Sequence, residues 1–214
     1  MTAREAILTR IREALGDESP ATAIPRDYRQ STAADAPIVA LFAERVADYR
    51  ATVLWTTEDR LAETIAGALA RRNVTRLVVP AGVPAAWLLD PNVGIGDDPP
   101  LSHAQLDALD GTLTGCAVAI AETGTVVLDA GPDQGRRALS LLPDYHLCVV
   151  RADQVVGDVP EALRRLDPRR PLTWISGPSA TSDIELQRVE GVHGPRILDV
   201  VIVGGQEDPV PDLV

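Results

Sequence analysis

A chain of 214 residues with 45% hydrophobic and 24% charged content is long enough for one α/β domain with a full core, and its composition excludes overall disorder. The formal charge of −11 excludes broad electrostatic binding to nucleic acid or anionic membranes, which reward clustered positive charge. All 20 basic residues are Arg, so a P-loop, Schiff-base or kinase-type lysine is excluded as well.

In chain order, residues 2–15 place Ile7, Leu8, Ile11 and Leu15 on one helical stripe, with Gly16 as its stop. The segment alternates charged with apolar residues and holds no long apolar run. It reads as neither a signal peptide nor a membrane span, so a cytoplasmic protein without membrane insertion is expected. From Asp17 to Pro37 the residues Pro, Ser, Thr, Ala and Asp break the periodicity. Residues 1–36 are therefore expected to form a helical arm and an exposed linker, and residues 37–214 one folded domain. The arm would dock loosely or against a neighbouring subunit, a route to an oligomer.

A helix over 38–50 leads to the strand Thr52-Val53-Leu54-Trp55, and Thr57 is placed to cap a helix over 58–72. Arg76 to Val79 reads as a strand, 83–89 as a helix, and Val93 to Ile95 as a short strand. Ser102 to Gln105 matches a capping box that opens a short helix. Cys116 to Ala121 is a near-continuous apolar run, as in a strand covered on both faces. Thr125 to Leu128 follows after Glu122-Thr123-Gly124, a gap suited to a tight turn, bulge or hairpin. A helix over 134–141, a strand from His146 to Val150, a helix near 159–166 and strands at Leu172 to Ile175 and Leu198 to Val203 complete the series. This alternation predicts an open, largely parallel or mixed α/β sheet with flanking helices. Cys116 and Cys148 lie in apolar runs without CxxC spacing and are expected to be buried free thiols. Two thiols and three separated His cannot hold an iron–sulfur cluster, which usually takes four thiolates.

Three segments carry chemistry. The strand ending at Ile175 opens into Ser176-Gly177-Pro178-Ser179-Ala180-Thr181-Ser182-Asp183. A loop leaving the carboxyl end of a strand in an open α/β sheet faces the crevice where ligands bind. Gly177 would let the backbone approach a ligand, and Pro178 would stiffen the turn. Ser176, Ser179, Thr181 and Ser182 offer hydroxyls, and amides ahead of a helix can hold an anion. The bland alternative is that Ser179 or Thr181 only caps a short helix. The second segment, Glu185 to Arg196, places Glu185, Glu190 and His193 close together, with Gly191, Gly194 and Pro195 shaping the turn. A His beside a carboxylate suits general acid–base work, whereas a His193 bonded to a backbone carbonyl would only hold the loop. The third segment is Thr123-Gly124-Thr125, where hydroxyls and unpaired amides at a strand break compete with the reading of a plain β-turn. His103 and His146 carry no partner pattern and read as surface and strand-end residues. No His-x₃-His or similar spacing supports a metal site. Gly94-x-Gly96 lacks the third Gly of a dinucleotide fingerprint.

AETGTVVL at 121–128, LPDYHLCVV at 142–150 and SGPSATSDIELQRVEGVHGPR at 176–196 together resemble the LUD-domain family, in its single-domain lactate-utilisation protein C-like branch. The resemblance runs from the N-terminal helix to Val203. It implies a Rossmann-like fold of the NagB/RpiA/CoA-transferase kind and a role in a three-component bacterial system that oxidises L-lactate to pyruvate. The other components of that system resemble iron–sulfur proteins, so this chain would carry no cofactor of its own. Related superfamily members bind phosphorylated sugars, folates or CoA in loops after the sheet strands. By position this implies Thr123, Gly124 and Thr125, Ser176 through Ser179, and Asp183. Two departures stand out: no Glu matches the covalent CoA-transferase nucleophile, and no Lys is present to hold ATP. On the lactate reading, His193 with Glu190 or Asp183 supplies a base, and Arg188 or Arg196 clamps the carboxylate. The implied partners are iron–sulfur subunits and a small carboxylate or phosphate-bearing ligand. The alternatives are a free-standing enzyme acting on a phosphorylated, folate or CoA-linked metabolite, and a non-catalytic scaffold or metabolite sensor.

Overall fold

Short runs of Val, Leu and Ile, apolar on both faces, need cover on both sides, and this chain provides it by stacking layers. The structure, a computed structural model, describes residues 2–16, 24–33, 35–182, 188–190 and 194–204, with 180–182 and 188–190 described by their backbone. Six parallel strands form the central sheet: β1 (Thr52–Thr56), β2 (Leu77–Val79), β3 (Gly94–Gly96), β4 (Gly111–Thr114), β7 (Tyr145–Arg151) and β12 (Ile197–Val203). Their spatial order is β1-β12-β7-β4-β2-β3. A second, mixed sheet holds β5 (Val118–Ile120), β6 (Thr125–Leu128), β8 (Val155–Val156) and β9 (Thr173–Ile175) in the order β8-β5-β6-β9. β10 (Ala180–Ser182) and β11 (Arg188–Glu190) pair as a separate antiparallel ribbon.

On one face of the central sheet, Leu113, Leu147, Val149 and Val201 pack against Leu61, Ile65 and Leu69 of α3 (Leu61–Arg72). On the other, Cys148, Val150, Val200 and Ile202 meet Phe42 and Val46 of α2 (Ile38–Asp48) and Ala119, Val126 and Leu128 of the second sheet. The period-two alternation then turns Val118, Ile120 and Val127 outward, under Ala162 of α5 (Val159–Arg165) and Leu166. The gap at 122–124 is a hairpin turn, with Ile120 opposite Thr125. Both cysteines are buried and free. Their thiols adjoin, and the hydrogen bond with Cys148, together with burial, holds the Cys116 thiol well above its ordinary value.

Some elements differ from expectation. The helix near 83–89 is a single 3₁₀ turn, Ala85–Trp87, since Pro84 precedes it and Leu88 is already extended. The helix over 134–141 shrinks to a turn at Arg137–Ser140, because residues 129–135 form a tight turn with Ala130 and Gly135 at positive φ. Thr57 occupies its cap position without a side-chain cap bond, and a 3₁₀ turn at Glu58–Arg60 precedes α3. α4 (His103–Asp107) has its capping box. β4 was unforeseen: Gly-Thr-Leu-Thr lacks an apolar run, yet all four residues are buried.

The first helix, α1 (Ala3–Leu15), carries its capping box at Thr2 and Glu5 and ends at Gly16. It buries none of its residues, and Ile7, Ile11 and Leu15 are each about half exposed or more. The linker is better anchored than its composition suggests. The Thr32 amide donates to Glu161 at 2.9 Å, Arg164 donates to the Gln30 carbonyl at 2.8 Å, and Arg29 pairs with Glu122 beside the buried Asp158.

A polar knot secures the amino end of the sheet. Asp199, 1% exposed, accepts from the Tyr145 hydroxyl at 3.0 Å and from Arg72 at 3.0 Å. Burial and the adjacent Asp199 push the Tyr145 phenol far above its ordinary value. Asp199→Ala strands a buried hydroxyl and a guanidinium, so a loss of about 3 kcal/mol is expected in urea unfolding.

Candidate functional site

Antiparallel pairing of β6 with β9 sets Val126 opposite Ile175, so Thr125 and Ser176 meet at one end of the second sheet. Their hydroxyls lie 2.8 Å apart, and Thr123 Oγ1 is 2.7 Å from Thr125 Oγ1. A chain of three hydroxyls thus links the hairpin turn to the serine loop. Gly124 and Gly177 both have positive φ, at +56° and +80°. A Cβ on Gly124 would lie 2.7 Å from the Arg45 carbonyl carbon, and one on Gly177 would lie 2.5 Å from Tyr49 Cβ. These glycines let the two turns press against the end of α2. What Gly177 approaches in the structure is Tyr49.

Two expectations about the serine loop need correction. β9 lies in the mixed sheet and runs antiparallel to β6, so the loop does not leave the carboxyl edge of the parallel sheet. No helix follows it among the described residues, since the chain enters β10 at Ala180, and no helix amides are offered there.

The loop instead forms one wall of a cleft of about 430 Å³ between the two sheets. Ser176, Gly177, Pro178 and Ser179 line it with Gly194 and Pro195, and the Ser179 amide donates to the Pro195 carbonyl at 2.8 Å. The cleft floor is His146 and Leu198, near the amino ends of β7 and β12, and Arg137, Ser140 and Leu141 form the opposite side. Thr123, Gly124 and Thr125 stand behind the loop, joined to it through Ser176. Arg196 is exposed, 3.6 Å from Asp144. In the ribbon, Ala180 faces Glu190, Thr181 faces Val189, and Ser182 faces Arg188. Asp183 and His193 lie outside the described residues.

Arg137, one of the paired arginines able to form a local anion site, lines the cleft with Ser140 and His146, which the sequence reading missed. His146 is buried, not a plain strand-end residue, and its Nε2 lies 2.8 Å from Thr114 Oγ1. Its Nδ1 has no partner among the described residues. Burial lowers its pKa to about 4, so the ring is neutral near pH 7. The available signal was its alternation with Cys148 and Val150, which share one inward face. Arg137 is exposed at the rim without a carboxylate partner among the described residues. No Asp or Glu is among the described residues that line the cleft. Serine hydroxyls, a neutral imidazole and a guanidinium without a carboxylate partner among the described residues together suit a small anion.

The LUD domain family model matches residues 39–203. The chain belongs to the LUD-domain family. This LUD-domain chain is 50% identical over 202 residues to lactate utilization protein C of Deinococcus radiodurans, covering 92% of the chain and 94% of the relative. It is 34% identical over 127 residues to lactate utilization protein C of Shouchella clausii, covering 55% of each. Its fold is similar to the crystal structure of a DUF162 family protein from Deinococcus radiodurans, with 47% identity and a TM-score of 0.68 over 78% of this chain and 96% of that one. Among the described residues, no helix is long and apolar enough to cross a membrane.

Proposed function

We propose that this LUD-domain chain is a cytoplasmic component of an L-lactate utilisation system, binding a small anionic ligand in the inter-sheet cleft and working with iron–sulfur partners. The observation that carries this reading is the 50% identity to a lactate utilization protein C across 92% of the chain. The cleft supplies a physical means, because Arg137 at its rim offers a planar fork to a carboxylate or phosphate.

Oxidation of lactate to pyruvate removes two protons and two electrons, and so calls for a base, a carboxylate clamp and an electron acceptor. In this reading His193, with Glu190 or Asp183, serves as the base. Arg137, Arg188 and Arg196 are the clamp candidates, and Thr181 is a further candidate contact to the ligand. The iron–sulfur partners take the electrons, since the chain's two cysteines lie buried in its core.

The test is affinity purification of the tagged full chain from lactate-grown cells of its native host. Iron–sulfur proteins are expected to co-purify, and recovery of the chain alone would count against the reading. Calorimetry with pyruvate and inorganic phosphate probes the cleft itself. Arg137→Met is expected to weaken binding about tenfold, the worth of one charge-assisted contact.

A further inference from the structure

We infer a second binding site, at the carboxyl ends of β2, β4 and β7, that takes a small hydroxy acid. Its hydroxyl bonds to Asp133, and its carboxylate bonds to Arg151 in exchange for Glu58. The choice of L-lactate as probe rests on the function proposed above, whereas the site rests on geometry alone.

Topology opens the crevice. β2 and β4 are parallel neighbours, but the chain leaves β2 outward to β3 and leaves β4 the other way, through β5 and β6 to β7. Ligands in open α/β sheets settle where adjacent strands diverge in this manner. Two glycines then draw the 129–135 turn down onto the strand ends. The Gly82 amide donates to the Pro132 carbonyl at 2.8 Å, and the Gly115 amide donates to the Asp133 carbonyl at 3.0 Å. A Cβ on Gly115 would lie 2.0 Å from Asp133 Oδ2, so the carboxylate in this position rests against the bare glycine. Within the turn, the Asp129 amide donates to Gln134 Oε1 at 2.6 Å, and the Gln134 amide donates to the Gly131 carbonyl at 3.0 Å. Asp133 is thus held on a rigid support.

The crevice encloses about 220 Å³, lined in part by Trp87, Val149, Asp133, Arg151 and Gln154. That is small against the ~300–1,000 Å³ of drug-sized sites, and it fits a small metabolite. Asp133 is half-buried, its described side-chain contact is Gln134 Nε2 at 3.3 Å, and no cation pairs with it among the described residues. Arg151 makes a two-point contact with Glu58, with Nη2 3.0 Å from Oε1 and Nη1 bonded to Oε2. Those side chains are 41% and 60% exposed, and such a pair exchanges readily. A ligand carboxylate presents the same fork to the guanidinium. Gln154 is already committed to the Arg151 amide at 2.8 Å and the Cys116 carbonyl at 2.7 Å, so it braces the wall. A plain carboxylate has no hydroxyl to donate to Asp133, and a polyol has no carboxylate to displace Glu58. A hydroxy acid satisfies both groups at once.

Titration calorimetry of the full chain with L-lactate, propionate and 1,2-propanediol tests this. Lactate is expected to bind about tenfold tighter than propionate, which forgoes one charge-assisted hydrogen bond, and more than tenfold tighter than 1,2-propanediol, which forgoes the two-point contact with Arg151. In an Arg137→Met background, which silences the inter-sheet cleft, Arg151→Met should remove the remaining lactate binding, and Asp133→Ala should erase the preference for lactate over propionate. Glu58→Ala, on an exposed turn where folding is not at stake, should tighten lactate roughly two- to fivefold by freeing the guanidinium. Absence of lactate binding, equal affinity for propionate, or a Glu58→Ala variant at or below wild-type affinity would each overturn the assignment. Loss of all lactate binding in Arg137→Met alone, with Glu58→Ala unchanged, would confine the hydroxy acid to the inter-sheet cleft, overturning this site and leaving the proposed function standing. Failure to recover iron–sulfur partners would weaken that function without touching the crevice titration.

Discussion

Gly177→Ala is expected to destabilise the chain by roughly 3 kcal/mol, as strain from a positive φ adds to overpacking. The φ of +80° is costly for any L side chain, and the added methyl meets Tyr49 Cβ at 2.5 Å. Gly124→Ala should behave alike, because its φ is +56° and its methyl would meet backbone atoms of Arg45. Backbone cannot rotate away as a side-chain tip can. Both substitutions push a turn off the end of α2, and both act on the hydroxyl chain Thr123–Thr125–Ser176 behind the cleft. The contrast is Gly67, inside α3, where a Cβ would meet nothing nearer than Arg71 Nη1 at 3.8 Å. Gly67→Ala should stabilise by about 0.5–1 kcal/mol, the ordinary gain for a helix interior. Urea unfolding of the three variants separates these effects.

Acid should weaken the fold through His146 before it does so through the carboxylates. Burial lowers this imidazole from 6.5 to about 4, so between those values the unfolded chain binds a proton that the folded chain refuses. Stability is full above about pH 6.5 and is lost as pH falls towards 4, by a total on the order of 3 kcal/mol. At lower pH, Asp97, held below the usual carboxylate range by its bond to Arg136, adds a further loss as it protonates. Glu161, held low by the Thr32 amide, does the same and loosens the linker. His146→Gln should flatten the curve between pH 6.5 and 4.5 while lowering stability overall, since Thr114 loses its ring partner. Unfolding free energies at three pH values across that window check the sign and the size.

Local pattern made much of this molecule legible, and distant pairing hid the rest. β1, β7 and β12 announce themselves as Val- and Leu-rich runs, and the capping box at Ser102 marks a helix start at sequence level. β4 stayed hidden because its Thr112 and Thr114 read as polar; their hydroxyls are satisfied by the Val78 carbonyl and by His146. The serine loop was found, but its sheet was not, since nothing local to Thr173–Ile175 says that β6 is its partner. His146 looked featureless for the same reason: Thr114 lies on another strand. The two crevice groups come together only through Gly115, whose neighbour Asp133 no spacing rule connects to it.

Growth on L-lactate as sole carbon source, in the native host deprived of this chain, tests the proposed role most directly. Growth on lactate should fail while growth on pyruvate stays normal, and the wild-type chain supplied in trans should restore it. Unimpaired growth on lactate in the deprived strain would contradict the role.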